Sequence, residues 1–160
     1  PDVVSEIARD GHDLANHSWN HPNFTQLSDD QMVAQVEWTE DAVRRATGCT
    51  TRPFFRAPFG SLNNHVLQVL GEAGFESIFW SAHGGDWLPG MTTESVRETV
   101  VKNTGNGGII VLHSSVPETA QAVPHIINDL HARGFELVRL SELLASDPSH
   151  PLRAACKPRS

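Results

Sequence analysis

Hydrophobic residues along the chain recur with two alternating periods, one typical of helices and one typical of strands. Helical spacing predicts six helices: residues 2–10, Ser28 to Gly48, Asn63 to about Gly74, Thr92 or Thr93 to about Lys102, Pro117 to Arg133 with a bend at Pro124, and a short helix from Ser141. Between them, short apolar runs predict five strands, at 12–16, 54–55, 75–80, 109–112 and 135–138. The helix after Ser28 has the clearest signal, because Gln31 completes a capping box there.

The alternation of strands and helices determines the expected fold class. Strand–helix–strand connections cross over in the right-handed sense, which predicts a parallel sheet and an α/β fold, either open or closed into a barrel. In both architectures the active site lies at the carboxyl ends of the strands. Polar and titratable side chains follow the five predicted strands, at 17–21, 56–60, 81–87, 113–115 and 139. We therefore expect these segments to converge on one site.

Composition narrows the class of protein. The chain has 160 residues, of which 39% are hydrophobic and 19% charged, which predicts one folded domain. Residues 146–160 contain three prolines and no periodicity, so we expect a tail there after a domain over 1–145. A net charge of −7 argues against a nucleic-acid partner, and no apolar run reaches the roughly 20 residues of a membrane span. Cys49 and Cys156 match no metal-site spacing, so they are either free thiols or one disulfide. Because the chain begins with Pro1, we expect a segment upstream of it.

Two histidines four positions apart are the first candidates for chemistry. On a single helical turn, His17 and His21 would point to the same place, which is the geometry of a pair of metal ligands. Pro22 disfavours helical geometry at His21, so the turn should end there. The alternative is two surface histidines on a loop.

Three further motifs follow predicted strands. Arg56-Ala57-Pro58-Phe59-Gly60 forms a rigid loop that can hold an arginine toward a cleft, or else a tight turn with a salt-bridged arginine. Asp86-Trp87 follows a glycine-rich segment, where the indole either forms a pocket wall or anchors the core. His113 ends the most apolar strand, where a core histidine bonded to a backbone carbonyl is the alternative.

The order of these motifs resembles that of the polysaccharide deacetylases, carbohydrate esterase family 4, also called the NodB homology domain. Residues 16–21 are similar to the family's metal-binding N-H-[ST]-x-x-H, and residues 56–60 to its R-x-P-[YF]-G. Asp86-Trp87 resembles its D-W motif, and residues 111–113 its L-x-H. The resemblance spans about residues 1–145 and implies an irregular (β/α) barrel.

The resemblance also implies catalytic roles. His17 and His21 would bind a divalent metal, usually zinc, together with one aspartate. The backbone N–H of Phe59 would help to hold the oxyanion formed when water attacks the acetyl carbonyl, and His113 would protonate the leaving amine. Asp86 would form a hydrogen bond with His113 and favour its charged form.

The remaining motif residues would act on the substrate or on a catalytic acid. Arg56 would orient a catalytic aspartate. Trp87 and Val111 would line the pocket for the acetyl methyl group, with Pro58 as a third substrate-binding residue. The family's usual substrates are peptidoglycan, chitin oligomers and acetylxylan, which imply action on acetylated polysaccharide in the extracellular space or cell envelope. We also expect a monomer.

One family signature has no counterpart in the chain. It is a T-F-D-D-G-like strand end, which supplies the catalytic base and the carboxylate metal ligand, whereas the only Asp-Asp pair here, Asp29-Asp30, starts a helix. Smaller departures are Ser114 where an aspartate commonly follows the histidine, Val111 where leucine is usual, and His83 where an acid often stands. We therefore expect the first βαβ unit to be missing and the chain alone to be inactive.

Three functions are left by the sequence. The leading hypothesis is the larger, C-terminal part of a metal-dependent polysaccharide deacetylase. A second is a non-catalytic carbohydrate-binding relative that keeps the groove and lacks the base. A third is a different metal amidase with Asp13 as third ligand, which is disfavoured because Asp13 falls within a predicted strand rather than beyond its end.

Overall fold

Helices and short strands alternate along the chain in a computed structural model, which describes residues 2–149 and 156. The helices are α1 (Asp2–Arg9), α2 (Asp29–Thr47), α3 (Asn64–Glu72), α4 (Thr93–Asn103), α5 (Pro117–Ala132) and α6 (Leu140–Leu144). The strands are β1 (Phe54–Phe55), β2 (Glu76–Ser77), β3 (Ala82–His83) and β4 (Ile110–Val111). The described residues divide into two compact units, 2–79 with Cys156, and Trp80–Ser149. The expected mixture of helix and strand is confirmed.

Local capping signals define the helices of the first unit. Ser28 and Gln31 form the predicted capping box at the start of α2, and Gly48 ends the helix in the left-handed conformation, with φ of 76°. Asn63 caps α3 by accepting the backbone N–H of Val66. These helix ends agree with the sequence because caps depend on a few neighbouring residues.

The core of the first unit packs α2 and α3 against β1. Its buried residues are Phe24, Met32, Val36, Phe55, Ala57, Val66, Val69, Leu70 and Phe75. β1 pairs in parallel with β2, and a parallel bridge joins Asn16 to Phe55. The backbone N–H of Asn16 donates to Phe54, and that of Arg56 donates to Asn16. This pairing places His17 next to the loop that follows β1.

The second unit is built on α4, α5 and another parallel pair. β3 pairs with β4, with His83 in register with Val111. The core comprises Val96, Val100, Ala122, Ile126 and Leu130. A Cβ atom on Gly84 would lie 2.8 Å from the Leu112 side chain and 2.9 Å from that of Val96, so only glycine allows this close packing after β3.

The strands differ more from expectation than the helices. The stretch 12–16 contributes only the Asn16 bridge, 75–80 and 109–112 shorten to β2 and β4, and β3 falls where a loop was expected. No strand occurs in the described segment 135–138, where Leu137 and Val138 are 39% and 46% exposed and gain no buried sheet face. The described strands form two separate two-stranded sheets, so the barrel stays a prediction.

A disulfide joins Cys49 to Cys156, which decides between the two states that the sequence left open. Most of the expected tail, residues 150–155 and 157–160, lies outside the described residues, and the domain over 1–145 stays a prediction. Within the part of the chain that the structure describes, no helix has the length and apolar character needed to span a membrane.

Candidate functional site

His17 is fixed by a hydrogen bond to the loop after β1. Its Nδ1 lies 2.6 Å from the backbone carbonyl oxygen of Arg56. Because a carbonyl only accepts, Nδ1 must carry the proton, and the neutral ring then presents Nε2 as the basic nitrogen. Metal-binding histidines are commonly held in this way by a backbone carbonyl. The contact therefore orients His17 as a ligand would be oriented.

His21 lies beside His17, although the segment between them is not the helical turn that the spacing predicted. The two ring centroids are 5.0 Å apart. The connecting loop is irregular, and Ser18 and His21 have left-handed backbone with φ of 70° and 60°. The pair is thus brought together by an irregular loop, and the four-residue spacing of the histidines alone could not predict its conformation.

Phe59 adds the second predicted motif to this histidine pair. Its ring packs edge-on against His21 at 4.6 Å between centroids, and 72% of the residue is exposed. Phe59 is left-handed, with φ of 59°, inside the turn Pro58–Gly60, and Pro58 itself is buried. The first unit therefore brings together His17, His21 and the 56–60 loop, as the sequence motifs predicted.

Asp86 and His113 form a pair in the second unit, in which the Asp86 side chain is buried and the His113 side chain is partly exposed. One carboxylate oxygen accepts the His113 backbone N–H at 2.6 Å, and the other lies 3.0 Å from His113 Nδ1. The hydroxyl of buried Thr119 donates to the same carboxylate at 2.8 Å. Burial alone would raise the pKa of Asp86, but the hydrogen bonds from His113 and Thr119 outweigh it and lower that pKa below its usual 3.8. Asp86 is thus held as a carboxylate directed at His113.

Aromatic contacts extend this pair. The Trp87 ring lies 5.5 Å from His113 and 5.0 Å from His83, between centroids, and about half of Trp87 is exposed. Val111, in β4, is buried. The second unit therefore assembles both residues of the D-W motif, Asp86 and Trp87, around the His113 ring.

The donor set for a metal is incomplete among the described residues. No group of three or more His, Cys, Asp or Glu side chains that could hold a metal occurs there. Asp13 therefore does not complete a site with the two histidines, and the third hypothesis loses its ligand. Asp29 and Asp30 lie in the first turn of α2, as expected, where Asp29 contacts His65 at 2.7 Å.

Three residues support the site in ways that sequence reasoning did not assign to them. Gln35 and Asn16, both buried, accept backbone N–H groups of the loop between the histidines. Thr119 supports Asp86 from the first turn of α5. Asn16 was visible as the first residue of the histidine motif, whereas no local signal marks Gln35 or Thr119, because their partners lie far away in sequence.

Comparison with known proteins relates these motifs to one family. The family model described as polysaccharide deacetylase matches residues 1–78. A peptidoglycan-N-acetylglucosamine deacetylase of Bacillus cereus is 30% identical over 158 residues, covering 90% of this chain and 68% of the relative. The chain belongs to the polysaccharide deacetylase family.

Other polysaccharide deacetylases support the same relationship. Chitin deacetylase 2 of Saccharomyces cerevisiae is 28% identical over 125 residues, covering 74% of this chain and 40% of the relative. The structure of a family 4 carbohydrate esterase from Streptomyces lividans in complex with acetate superposes with a TM-score of 0.81 at 28% identity, covering 99% of this chain and 77% of that one. The chain spans about half the length of the first curated relatives that it matches, between 44% and 55%.

Proposed function

We propose that this chain is part of a metal-dependent hydrolase that removes acetyl groups from N- or O-acetylated polysaccharide. The observation that carries the proposal is the buried Asp86 carboxylate, which binds both the backbone and the ring of His113. Relatives named as peptidoglycan and chitin deacetylases support those two substrate classes, and acetylxylan is the third that we consider.

His17 and His21 are the residues that would hold the metal. Their chemistry fits, because neutral imidazole is a preferred ligand of zinc and the Arg56 carbonyl leaves Nε2 of His17 as its basic nitrogen. When bound, a divalent metal supplies Lewis-acid polarisation of the acetyl carbonyl. Since catalytic zinc sites have three protein ligands, we expect the 160-residue chain to bind zinc weakly.

The protein groups then divide the acid–base work. Asp86 occupies Nδ1 of His113, so Nε2 is the nitrogen from which a proton passes to the leaving amine. The backbone N–H of Phe59 would stabilise the oxyanion. Arg56 would orient a catalytic carboxylate, and Trp87 would form a wall for the acetyl group.

The substrate-binding role extends to two buried residues. Pro58 would fix the backbone of the 56–60 loop, and Val111, buried in β4 two positions before His113, would supply apolar surface. The disulfide between Cys49 and Cys156 supports a location outside the cytosol, because such bonds persist in oxidising compartments. We propose the extracellular space or cell envelope, and a monomer.

A second candidate is a non-catalytic carbohydrate-binding relative. The observation in its favour is that no group of three or more His, Cys, Asp or Glu side chains that could hold a metal occurs among the described residues. Such a protein would bind acetylated oligosaccharide without releasing acetate.

Acetate release separates the two candidates. The assay measures acetate released from acetylated chitin oligomers and from peptidoglycan in the presence of zinc. It compares the 160-residue chain with the longer protein that includes whatever the gene encodes upstream of Pro1. We expect negligible release from the chain alone and turnover by the longer product. In the latter, His113→Ala should lower turnover by roughly 10²- to 10⁴-fold with unchanged metal content. Oligosaccharide binding without acetate release by the longer product would favour the binding relative.

A further inference from the structure

The loop between the two histidines has a backbone that its own residues disfavour. Ser18 and His21 both have positive φ, near 70° and 60°, a region that residues with a side chain rarely adopt. Such a conformation persists only where surrounding contacts hold it. The contacts of this loop therefore decide whether the two imidazoles stay together.

Four consecutive backbone N–H groups of the loop are bound by side chains. The buried Asn16 accepts the Ser18 N–H at 3.0 Å, and the Ser18 hydroxyl accepts the His21 N–H at 2.9 Å. Between them, the Trp19 and Asn20 N–H groups both donate to the side-chain oxygen of Gln35, each at 3.1 Å. Gln35 is thus the one partner in this set that comes from outside the histidine motif.

Gln35 is well placed to act as a rigid acceptor. It lies on α2 and is 8% exposed, and its neighbour Val36 accepts a hydrogen bond from the Asn16 side chain at 2.9 Å through its carbonyl. Two adjacent residues of one helix therefore fix the start and the middle of the loop. A side chain that is buried in a helix has few alternative rotamers, so its oxygen stays in position.

We propose that Gln35 is a positioning residue for the His17–His21 pair. This inference rests on the proposed function, in which the pair holds a divalent metal. The Gln35 oxygen binds the backbone that joins the two imidazoles, and Gln35 acts through that backbone. Without its oxygen, the Trp19 and Asn20 N–H groups lose their acceptor, and the left-handed residues on either side can relax toward ordinary backbone. The two imidazole rings would then no longer be directed toward the same position.

Zinc titration of the full 160-residue chain tests this role. The Gln35→Leu variant removes the acceptor, and we expect its affinity for zinc to fall by roughly 10- to 100-fold, as is typical when groups that orient metal ligands are lost. The Gln35→Glu variant keeps an oxygen that accepts both N–H groups and should retain zinc binding. Gln68→Leu, a matched change at an exposed glutamine of α3, should leave the affinity unchanged.

Amide hydrogen exchange gives a readout that does not depend on metal. In Gln35→Leu the Trp19 and Asn20 amides should exchange faster than in the wild type, while Gln35→Glu and Gln68→Leu should keep them protected. Thermal unfolding of each variant shows whether the fold is retained.

The outcomes distinguish this inference from the proposed function. Unchanged zinc affinity in Gln35→Leu, or equal loss in Gln35→Leu and Gln35→Glu, overturns the role of Gln35. Wild-type zinc binding that survives the His17→Ala/His21→Ala double substitution overturns the metal site, and the positioning role with it. Weakened binding and faster exchange in Gln35→Leu alone support the proposal.

Discussion

Glu40 is the group whose charge should matter most for the stability of the first unit. Its side chain is 1% exposed, and one carboxylate oxygen accepts hydrogen bonds at 2.7 Å from Arg44 and from the Thr50 hydroxyl. The other accepts from the Thr51 backbone N–H at 2.7 Å and from its hydroxyl at 2.6 Å. The substitution Glu40→Gln keeps the shape but turns one oxygen into a donor. In either orientation the new NH₂ faces a group that only donates, Arg44 or the Thr51 N–H.

The size of the effect follows from the pKa of Glu40. Burial acts to raise this pKa, but the hydrogen bonds from Thr51, Thr50 and Arg44 outweigh it and lower the value from 4.5 to about 2. A difference of this size corresponds to about 3 kcal/mol of stabilisation at neutral pH. Because the folded-state pKa is the lower one, this stabilisation is present above pH 4.5 and is lost as the pH falls from 4.5 toward about 2.

Urea unfolding of the oxidised protein at a series of pH values measures this contribution. We expect Glu40→Gln to be less stable than the wild type by about 3 kcal/mol at pH 6, and the difference to shrink as the pH falls below 4.5. Asp41→Asn changes an exposed carboxylate on the same helix, and its free energy of unfolding should vary with pH in parallel with that of the wild type. If the stability of Glu40→Gln also runs parallel to the wild type over this range, the buried carboxylate does not stabilise the fold as argued.

Two further predictions concern other buried contacts. Thr119→Val removes a hydrogen bond that helps to lower the pKa of Asp86, so that pKa should rise in a carboxyl-carbon NMR titration, and the free energy of unfolding should fall by about 1.5–3 kcal/mol. If the pKa of Asp86 is the same in Thr119→Val as in the wild type, the hydrogen bond from Thr119 does not act on this carboxylate. Replacing both Cys49 and Cys156 by serine removes a cross-link between residues 107 apart and should cost about 2–5 kcal/mol in urea unfolding, whereas equal stability would show that the link does not constrain the unfolded chain.

The helices could be predicted because their signals are local. The capping box of Ser28 and Gln31, the Asn63 cap and the left-handed Gly48 each involve residues within a few positions of one another. The strands were harder, since an apolar run becomes a strand only when another segment pairs with it. The run at 135–138 has the composition of a strand, yet the described residues give it no pairing partner within a sheet.

The sequence motifs predicted which residues form the candidate site, but they did not predict the backbone conformation that brings the two histidines together. The motifs identified His17, His21, Asp86 and His113, and the structure pairs them within each unit. The helical turn expected between the histidines was wrong because side-chain acceptors, among them Gln35 of α2, hold a loop whose Ser18 and His21 adopt a left-handed backbone that local propensity disfavours. Propensity describes a chain without those distant partners, so it could not anticipate this loop.

Helix α2 shows why such partners escape a hydrophobic pattern. Its buried face includes Met32 and Val36, which follow the expected apolar stripe, but also Gln35 and Glu40. A polar residue at a buried position is costly unless it is satisfied, and both of these accept backbone N–H groups from irregular segments. One segment precedes β1 and the other follows Asn16, which bridges to Phe55, and β1 is a strand of two residues that offers few ladder hydrogen bonds to order them. The acceptors that a longer sheet would supply come instead from the helix, so a polar residue on an otherwise apolar helix face indicates that a loop is anchored there.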